Sequence, residues 1–203
     1  MTHRLMRHFR SFVADQDGSM SIELLLVTPI LLWALLSTFV YFDLFRTEAN
    51  SHRAALTIAD MFSREQTAVD TDYLDGGSRL LETLTFSDDT PDYRITVYRY
   101  QGGDDTYRVV WSQDRGMGGV LDDDDLVTFD NQGLLPLLAS GDRAILVQTR
   151  VEYSAPFSIG LGVFTSTNLD DQTFTTFTVI RPRFQPSLCW DPEPENPANA
   201  PVC

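Results

Sequence analysis

The chain has 203 residues, with 29 acidic side chains against 15 basic ones and a formal net charge of −14. The charge is uneven: residues 1–46 are neutral overall, so residues 47–203 carry all of it. Phosphates need a basic surface, so this composition excludes nucleic acid as a partner. The length corresponds to about one domain with accessory segments.

An uninterrupted apolar segment from Leu24 to Phe42 is the strongest structural signal. It holds 19 residues without a charge. As a helix it would be roughly 28 Å long, close to the hydrocarbon thickness of a bilayer. Neither Ser37-Thr38-Phe39 nor Thr47-Glu48-Ala49 is a convincing cleavage site for a secretory signal. We therefore expect a retained membrane helix, with a cleaved secretory signal as the alternative.

Arginines set the predicted orientation of this helix, because the chain has no lysine. Three arginines lie before the apolar segment and mixed charges follow it: Arg4, Arg7 and Arg10, then Asp43, Arg46 and Glu48. Positive residues are retained on the cytoplasmic side of a membrane. Residues 1–18 are thus predicted to be a basic cytoplasmic leader, and the acidic bulk of the chain to lie outside.

The helical pattern continues beyond the apolar segment. A stripe at i, i+3, i+4 and i+7 should face a packed body: Ala55, Ile58, Ala59 and Phe62. Asn50 and Ser51 are weak helix formers, which allows a bend there. We predict one transmembrane and spine helix over residues 19–65.

Strand patterns dominate the head, which we place at residues 66–183. Four segments alternate or are rich in Thr and Phe: residues 93–98, 107–111, 144–153 and 173–180. In the second segment Tyr107, Val109 and Trp111 should share one face. The pattern predicts an α+β fold with an antiparallel sheet of about four strands.

Short connecting elements complete the predicted head. Gly76-Gly77 should close the spine region and open a short helix at Ser78–Thr85. Gly102-Gly103-Asp104-Asp105 is typical of a hairpin loop. A short helical turn is expected at Leu134–Ala139, around Pro136.

The segment 184–203 is rich in proline and is expected to be an extended or loop-like tail. Its two cysteines, Cys189 and Cys203, are the only ones in the chain. In an oxidising periplasm they should pair and close a loop of about 15 residues, worth roughly 3 kcal/mol on the chain-entropy account. The alternative is that both remain free thiols.

The head lacks the residues of most catalytic sites. It has no histidine and both cysteines lie in the tail, which excludes a Ser-His-Asp triad, a Cys-His pair and a Cys/His zinc site. Gly116-Met117-Gly118-Gly119 looks like a phosphate-binding loop only superficially, and a flexible turn is expected instead. We predict no enzymatic activity, no catalytic residue and no cofactor.

The acidic run Asp122-Asp123-Asp124-Asp125 invites comparison with calcium sites, which use several carboxylate oxygens. Its spacing matches no EF-hand, and four consecutive side chains cannot all converge on one ion. A solvated acidic turn is therefore expected. Weak calcium binding together with Asp104, Asp105 or Asp130 is the alternative.

Glu23 stands at the mouth of the apolar segment, five residues after Gly18. An ionised carboxylate costs about 3 kcal/mol at mid-depth in a bilayer and less near the interface. Gly18 suits a scissile site, because a residue without a side chain lets the backbone extend into a protease cleft. Pro29 removes one helical hydrogen bond, which predicts a kink or local opening. The plainer alternatives are an interfacial Glu23 and a tolerated Pro29.

This arrangement of Gly18, Glu23, an apolar stretch and Pro29 resembles the processing site of type IV prepilins. It is similar to the TadE/TadG-like pseudopilins of tight-adherence (Flp-type) pilus systems. Two further features resemble that family: the turn Gly141-Asp142 leading into an alternating strand and Pro156, and the terminal Ile180-Arg181-Pro182-Arg183. Leu24 departs from the aromatic residue that usually follows the glutamate.

The resemblance implies a minor pilin or pseudopilin that is needed for pilus assembly, adherence and biofilm formation. A prepilin peptidase would cut between Gly18 and Ser19, and Glu23 of a neighbouring subunit would neutralise the new Ser19 amine. The implied partners are this peptidase, other pilins, an inner-membrane assembly platform and the lipid bilayer. The implied location is the bacterial inner membrane, single-pass, or an extracellular pilus. The alternative is an uncleaved single-pass protein whose acidic periplasmic head binds a partner.

Overall fold

The computed structural model describes residues 19–87, 90–157, 171–196 and 199–203. The predicted leader at residues 1–18, including Gly18, lies outside the described residues. The elements in chain order are α1 (Ser19–Arg64), α2 (Thr71–Thr85), β1 (Asp92–Gln101), β2 (Thr106–Arg115), α3 (Asp123–Asn131), β3 (Arg143–Ser154) and β4 (Asp171–Ile180). The predicted α+β fold, with a long N-terminal helix and a four-stranded antiparallel sheet, is confirmed.

Helix α1 is continuous over 46 residues and passes through Pro29, Asn50 and Ser51 without interruption. The head does not cover its first part, since every side chain from Met20 to Leu36 is exposed. Its last part is packed: the predicted stripe of small and apolar residues is fully buried. Ser51 is buried too, so its small side chain lies where α1 meets the head.

The sheet has the order β2-β1-β3-β4, and its strands lie alongside the second half of α1. At one end of the sheet the Tyr153 hydroxyl lies 3.3 Å from a carboxylate oxygen of Asp43. At the other end Arg183, just beyond β4, pairs with Asp60 at 2.8 Å and donates its backbone N–H to the Ser63 carbonyl. The sheet therefore runs alongside α1 from Asp43 to Asp60.

Each face of the sheet has its own apolar core. The first lies between the sheet and helices α1 and α2, and it includes Ile58, Phe62, Leu81, Ile95 and Ile145. The second lies under α3 and the chain that follows it, and it includes Tyr98, Tyr107, Leu126, Leu138 and Leu146. The central strands β1 and β3 carry buried side chains on both faces, and the polar Thr96, Gln148 and Thr149 are among them.

The predicted face of Trp111 is wrong, because a β-bulge interrupts the alternation of β2. The pairing of β1 with β2 shifts between Val97 and Tyr98, which leaves Val110 as the extra residue of β2. Trp111 consequently packs in the first core, whereas Tyr107 and Val109 belong to the second. Strict alternation would have placed all three on one face.

Helix α2 begins at Thr71, seven residues before the predicted start at Ser78. Asp70 is its N-cap and accepts a hydrogen bond from the Tyr73 amide at 2.8 Å. Gly77 lies inside this helix, and a Cβ there would be 3.0 Å from the Tyr93 hydroxyl. The Tyr93 hydroxyl donates to the Leu74 carbonyl. The glycine thus permits close approach to the sheet and does not end a helix.

The predicted helical turn at Leu134–Ala139 is wrong, because this segment has no helical residues. The helix of this region is α3, which begins in the acidic run itself. Leu135 and Leu138 are buried in irregular chain beneath the sheet. Their apolar spacing reflects packing against the second core and not a helical period.

The Pro-rich tail packs onto the head. Leu188 and Trp190 are buried in the first core, and the Trp111 indole N–H donates to the Leu188 carbonyl at 2.8 Å. Backbone bonds join Val69 to Cys189 and Asp191, and Trp190 to Val202. Cys189 and Cys203 form a disulfide. The tail therefore holds the segment that connects α1 and α2 against the sheet.

We expect removal of the disulfide by Cys189→Ala with Cys203→Ala to lower the free energy of unfolding by roughly 3 kcal/mol, since it closes a loop of about 15 residues. Urea denaturation of the detergent-solubilised protein, followed by tryptophan fluorescence, measures this loss. The expectation for the unreduced wild type is that thiol labelling modifies neither cysteine. Labelling of both would contradict the bond.

Candidate functional site

The candidate site begins where α1 begins. Ser19 is the first residue of the helix, and Glu23 follows one turn later on the same face. Helix N-termini carry unsatisfied N–H groups and a partial positive charge. A free amine at Ser19 would add a cation at that end, where a carboxylate is the favourable neighbour. Glu23 is exposed and thus open to a group from outside the chain.

Two threonines in the exposed part of α1 donate their hydroxyl groups to carbonyls of the same helix. The Thr28 hydroxyl donates to the Leu24 carbonyl at 2.6 Å, and the Thr38 hydroxyl donates to the Ala34 carbonyl at 2.8 Å. Such bonds remove hydroxyl groups from contact with an apolar solvent. Among the described residues, α1 is the one helix long and apolar enough to cross a membrane.

One exposed line of side chains, here called the helix stripe, runs from the apolar part of α1 into the part that carries the head. Its positions alternate in steps of three and four residues: Leu35, Thr38, Phe42, Phe45, Ala49, His52 and Leu56. All seven are exposed. This is the spacing by which one helix packs along another. Phe45 and Leu56 remain uncovered even though the opposite face of α1 is buried under the sheet.

The end of the head nearest the apolar segment contains a cavity of about 450 Å³. It lies between α1, the end of α2 and the end of β3, and it is lined by Asp43, Arg46, Asn50, Phe86, Glu152 and Tyr153 among others. Burial, with a smaller contribution from Asp43, raises the pKa of Tyr153 to about 12. Its hydroxyl therefore stays protonated at neutral pH and can donate to Asp43.

The acidic run has a structural role at the start of α3. Asp122 is the N-cap and accepts from the amides of Asp124 and Asp125, and the Asp125 carboxylate accepts from the Asp122 amide in return. This capping box satisfies N–H groups that no helical carbonyl can reach. The solvated turn expected from the sequence is thus the first turn of a helix.

Asp123 of the same run is tied to β2. It accepts from the Val109 amide at 2.7 Å and pairs with Arg108 at 2.9 Å. Burial raises its pKa, but the Val109 and Arg108 bonds outweigh this and lower the pKa overall. In the described part of the chain, no three His, Cys, Asp or Glu side chains are grouped so that they could hold a metal ion.

The glycine loop after β2 is occupied by the chain's own carboxylate. Asp114 accepts from the backbone amides of Met117, Gly118 and Gly119 at 3.0, 3.2 and 3.0 Å. These are the donors that a phosphate-binding loop would present to its ligand. Asp114 lies three residues before Met117. This spacing is the sequence signal that could have shown that the chain's own carboxylate occupies the loop.

The predicted site residues thus fall into separate regions. Glu23 and Pro29 lie in the exposed part of α1, four and ten residues after Ser19, whereas Cys189 and Cys203 lie at the far end of the head. The helix stripe and the cavity beside Asp43 were not anticipated from the sequence. No protein-family model, curated protein or solved structure matches this chain.

Proposed function

We propose that the chain is a minor pilin or pseudopilin needed for assembly of a tight-adherence (Flp-type) pilus. A prepilin peptidase matures it by cutting between Gly18 and Ser19. The main support for this proposal is that α1 has two different parts. It is one unbroken helix whose first part is apolar and exposed and whose last part is covered by the sheet. Such a helix can be held in lipid, and later among other helices, while the head stays folded.

The helix stripe supports an assembly role. Phe45 and Leu56 expose large apolar side chains beyond the apolar segment, where the hydrocarbon of the bilayer does not cover them. Covering them gains about 25 cal/mol for each Å² of apolar surface removed from water. A neighbouring helix that packs along the stripe would contact the chain both inside the membrane and outside it. Subunits could then leave the bilayer without losing their contacts.

The proposed location is the inner membrane, with the leader in the cytoplasm and the head in the periplasm. The arginines of the leader support this orientation. Partners are the prepilin peptidase, other pilins and an inner-membrane assembly platform. The competing function is that of an uncleaved single-pass protein whose acidic head binds a periplasmic partner. The exposed stripe favours assembly over this alternative.

A charge substitution on the stripe tests the proposed function. We expect Leu56→Glu to reduce surface pili at least tenfold, because it places a carboxylate at the contact with the neighbouring helix. Thr57→Glu is the matched control, since it adds the same charge at the adjacent exposed position of α1. Pilus counts and head stability are measured for both. Equal piliation in the two variants would remove the stripe as an interface.

Glu23→Ala is expected to impair assembly and not folding. Glu23 lies far from both cores, so head stability should stay within about 0.5 kcal/mol of the wild type. The variant leaves the Ser19 amine of a neighbour without its carboxylate in lipid, where an uncompensated charge is costly. We therefore expect protein to accumulate in the inner membrane while pili decline.

Glu23→Gln is the control for size, because it keeps the shape and removes the charge. It should resemble Glu23→Ala if the ion pair matters. Cleavage after Gly18 should persist in both variants. Normal piliation in both would mean that Glu23 merely rests at the headgroup boundary.

A further inference from the structure

The head reaches back along α1 into the apolar segment. The ring of Phe157, just beyond β3, lies 5.9 Å from the ring of Phe39, measured between centroids. Ser37 and Val40 are buried as well, although their neighbours on the helix are exposed. The apolar segment ends at Phe42, so at about 1.5 Å per residue Phe39 is roughly 4.5 Å inside its outer end. Part of the head is therefore level with residues that lipid should surround.

The same end of the head exposes apolar side chains. Phe157 is 41% exposed and Phe86 is 78% exposed. Phe86 is the C-cap of α2 and has a φ of 54°, a conformation that bulky residues seldom adopt and that glycine usually supplies. An exposed aromatic ring is thus held in a strained position. The described chain from Tyr153 to Phe157 has no charged residue, in a chain of net charge −14.

The cavity beside Asp43 is lined by Phe86 and by Pro156, which directly precedes Phe157. Its helix-borne lining, from Asp43 to Asn50, begins directly after the apolar segment. The headgroup layer of a bilayer extends about 5–8 Å beyond the hydrocarbon on each side. Asp43 and Arg46 are about 1.5 and 6 Å beyond Phe42 along the helix. The polar cavity is therefore at the depth of lipid headgroups, and Phe157 is at the depth of the outer hydrocarbon.

We propose that this end of the head is a lipid-contact surface that dips into the outer face of the membrane holding α1. Phe157 enters the edge of the hydrocarbon, Phe86 lies among the headgroups, and the cavity opens onto them. The cavity lining combines Arg46 with Asp43 and Glu152, so zwitterionic headgroups suit it better than anionic ones. The contact would hold the head at a fixed height on the bilayer before assembly.

This inference rests on the membrane-spanning part of the proposed function and is independent of pilus assembly. It predicts that α1 faces the head on one side and lipid on the other around Phe39, where the ring of Phe157 lies 5.9 Å away. The acidic remainder of the head stays in water.

Spin-label accessibility in the full-length protein tests the proposal. Single cysteines are introduced as Phe157→Cys, Phe86→Cys, Leu31→Cys or Leu137→Cys, with the disulfide intact, and are labelled after reconstitution at low density into phosphatidylcholine vesicles. Leu31 is exposed on the apolar part of α1 and reports insertion. Leu137 is 94% exposed, and it follows Pro136, whose carbonyl accepts from Tyr107 near the opposite end of the sheet. Each label's collision rates with oxygen and with a water-soluble nickel chelate are compared.

The expected result is an oxygen-to-nickel ratio at position 157 severalfold above that at position 137 and close to that at position 31, with position 86 between them. Equal ratios at 157 and 137, with 31 in lipid, overturn the proposal and leave the membrane helix standing. A water-exposed label at 31 overturns the membrane helix itself. If the labels at positions 157 and 86 are shielded from both oxygen and the nickel chelate, the lipid-contact proposal is overturned in favour of a protein contact on this surface.

Discussion

Gly18→Phe is expected to abolish removal of residues 1–18. A peptidase must bind the chain around the scissile bond in an extended form, and a benzyl side chain at Gly18 would clash where glycine presents only backbone. The intact mass of membrane-extracted protein from a strain with the cognate peptidase measures this. The wild type should begin at Ser19, whereas the variant should retain all 203 residues.

Ser21→Phe is the control for bulk, because it adds the same ring three residues beyond Gly18. It should still be cleaved. If the wild-type strain yields only full-length protein, the pseudopilin proposal is wrong and the uncleaved membrane protein is favoured. The helix stripe would then need a partner other than a filament neighbour.

Cleavage between Gly18 and Ser19 would make Ser19 the N-terminus of α1. All 46 residues of the described helix, Ser19–Arg64, would stay in place. The new amine would add positive charge to the positive end of the helix dipole, which is unfavourable by itself. In the proposed assembly the Glu23 carboxylate of a neighbouring subunit offsets that charge. Cleavage after Gly18 and the role of Glu23 are thus linked through the charge at the helix terminus.

Strongly periodic segments were predictable from the sequence. The buried stripe of α1 follows its expected period, and in β3 Ile145 and Val147 share the first core as alternation requires, although the intervening Leu146 is buried in the second core. Local signals that have two interpretations were not decisive. Gly77 looked like a helix breaker, but it lies where Tyr93 approaches α2 closely. The acidic run looked like a turn, whereas the reciprocal bonds of Asp122 and Asp125 make it a helix start.

Long-range contacts account for the features that the sequence did not reveal. The Val110 bulge depends on how β2 pairs with β1, and it alone decides which core receives Trp111. The contact of Phe157 with Phe39 joins residues that are more than a hundred positions apart. Hydrophobic periodicity reports which residues are buried but not which elements meet. The motif at Glu23 was recognisable because it is local.

The tail offers the clearest case of a long-range contact with a large expected effect on stability. Trp190 is buried, and its ring lies 5.9 Å from that of Trp111 in the first core. Its backbone forms bridges to Val69 and to Val202. The tail therefore holds the α1–α2 connection, and not only its own terminus, against the sheet.

We expect Trp190→Ala to lower the free energy of unfolding by about 3–5 kcal/mol, the usual cost of truncating a buried tryptophan. For a domain whose total stability is about 5–15 kcal/mol, this loss is a large fraction. Urea denaturation of the detergent-solubilised protein, followed by far-ultraviolet circular dichroism, should show a midpoint lower by at least about 1 M. Phe184→Ala is the matched control, because Phe184 is an exposed aromatic residue of the same tail. It should change stability by less than about 0.5 kcal/mol.

The comparison with Leu56→Glu separates stability from assembly. Trp190→Ala should reduce pili only as far as it reduces the amount of folded protein in the membrane, since Trp190 is buried inside the head. Leu56→Glu should reduce pili at normal protein levels, because Leu56 is exposed on the helix stripe. A Trp190→Ala protein as stable as the wild type would show that the tail only rests on the head. The first core would then be complete without it, and the burial of Leu188 and Trp190 would contribute little to folding.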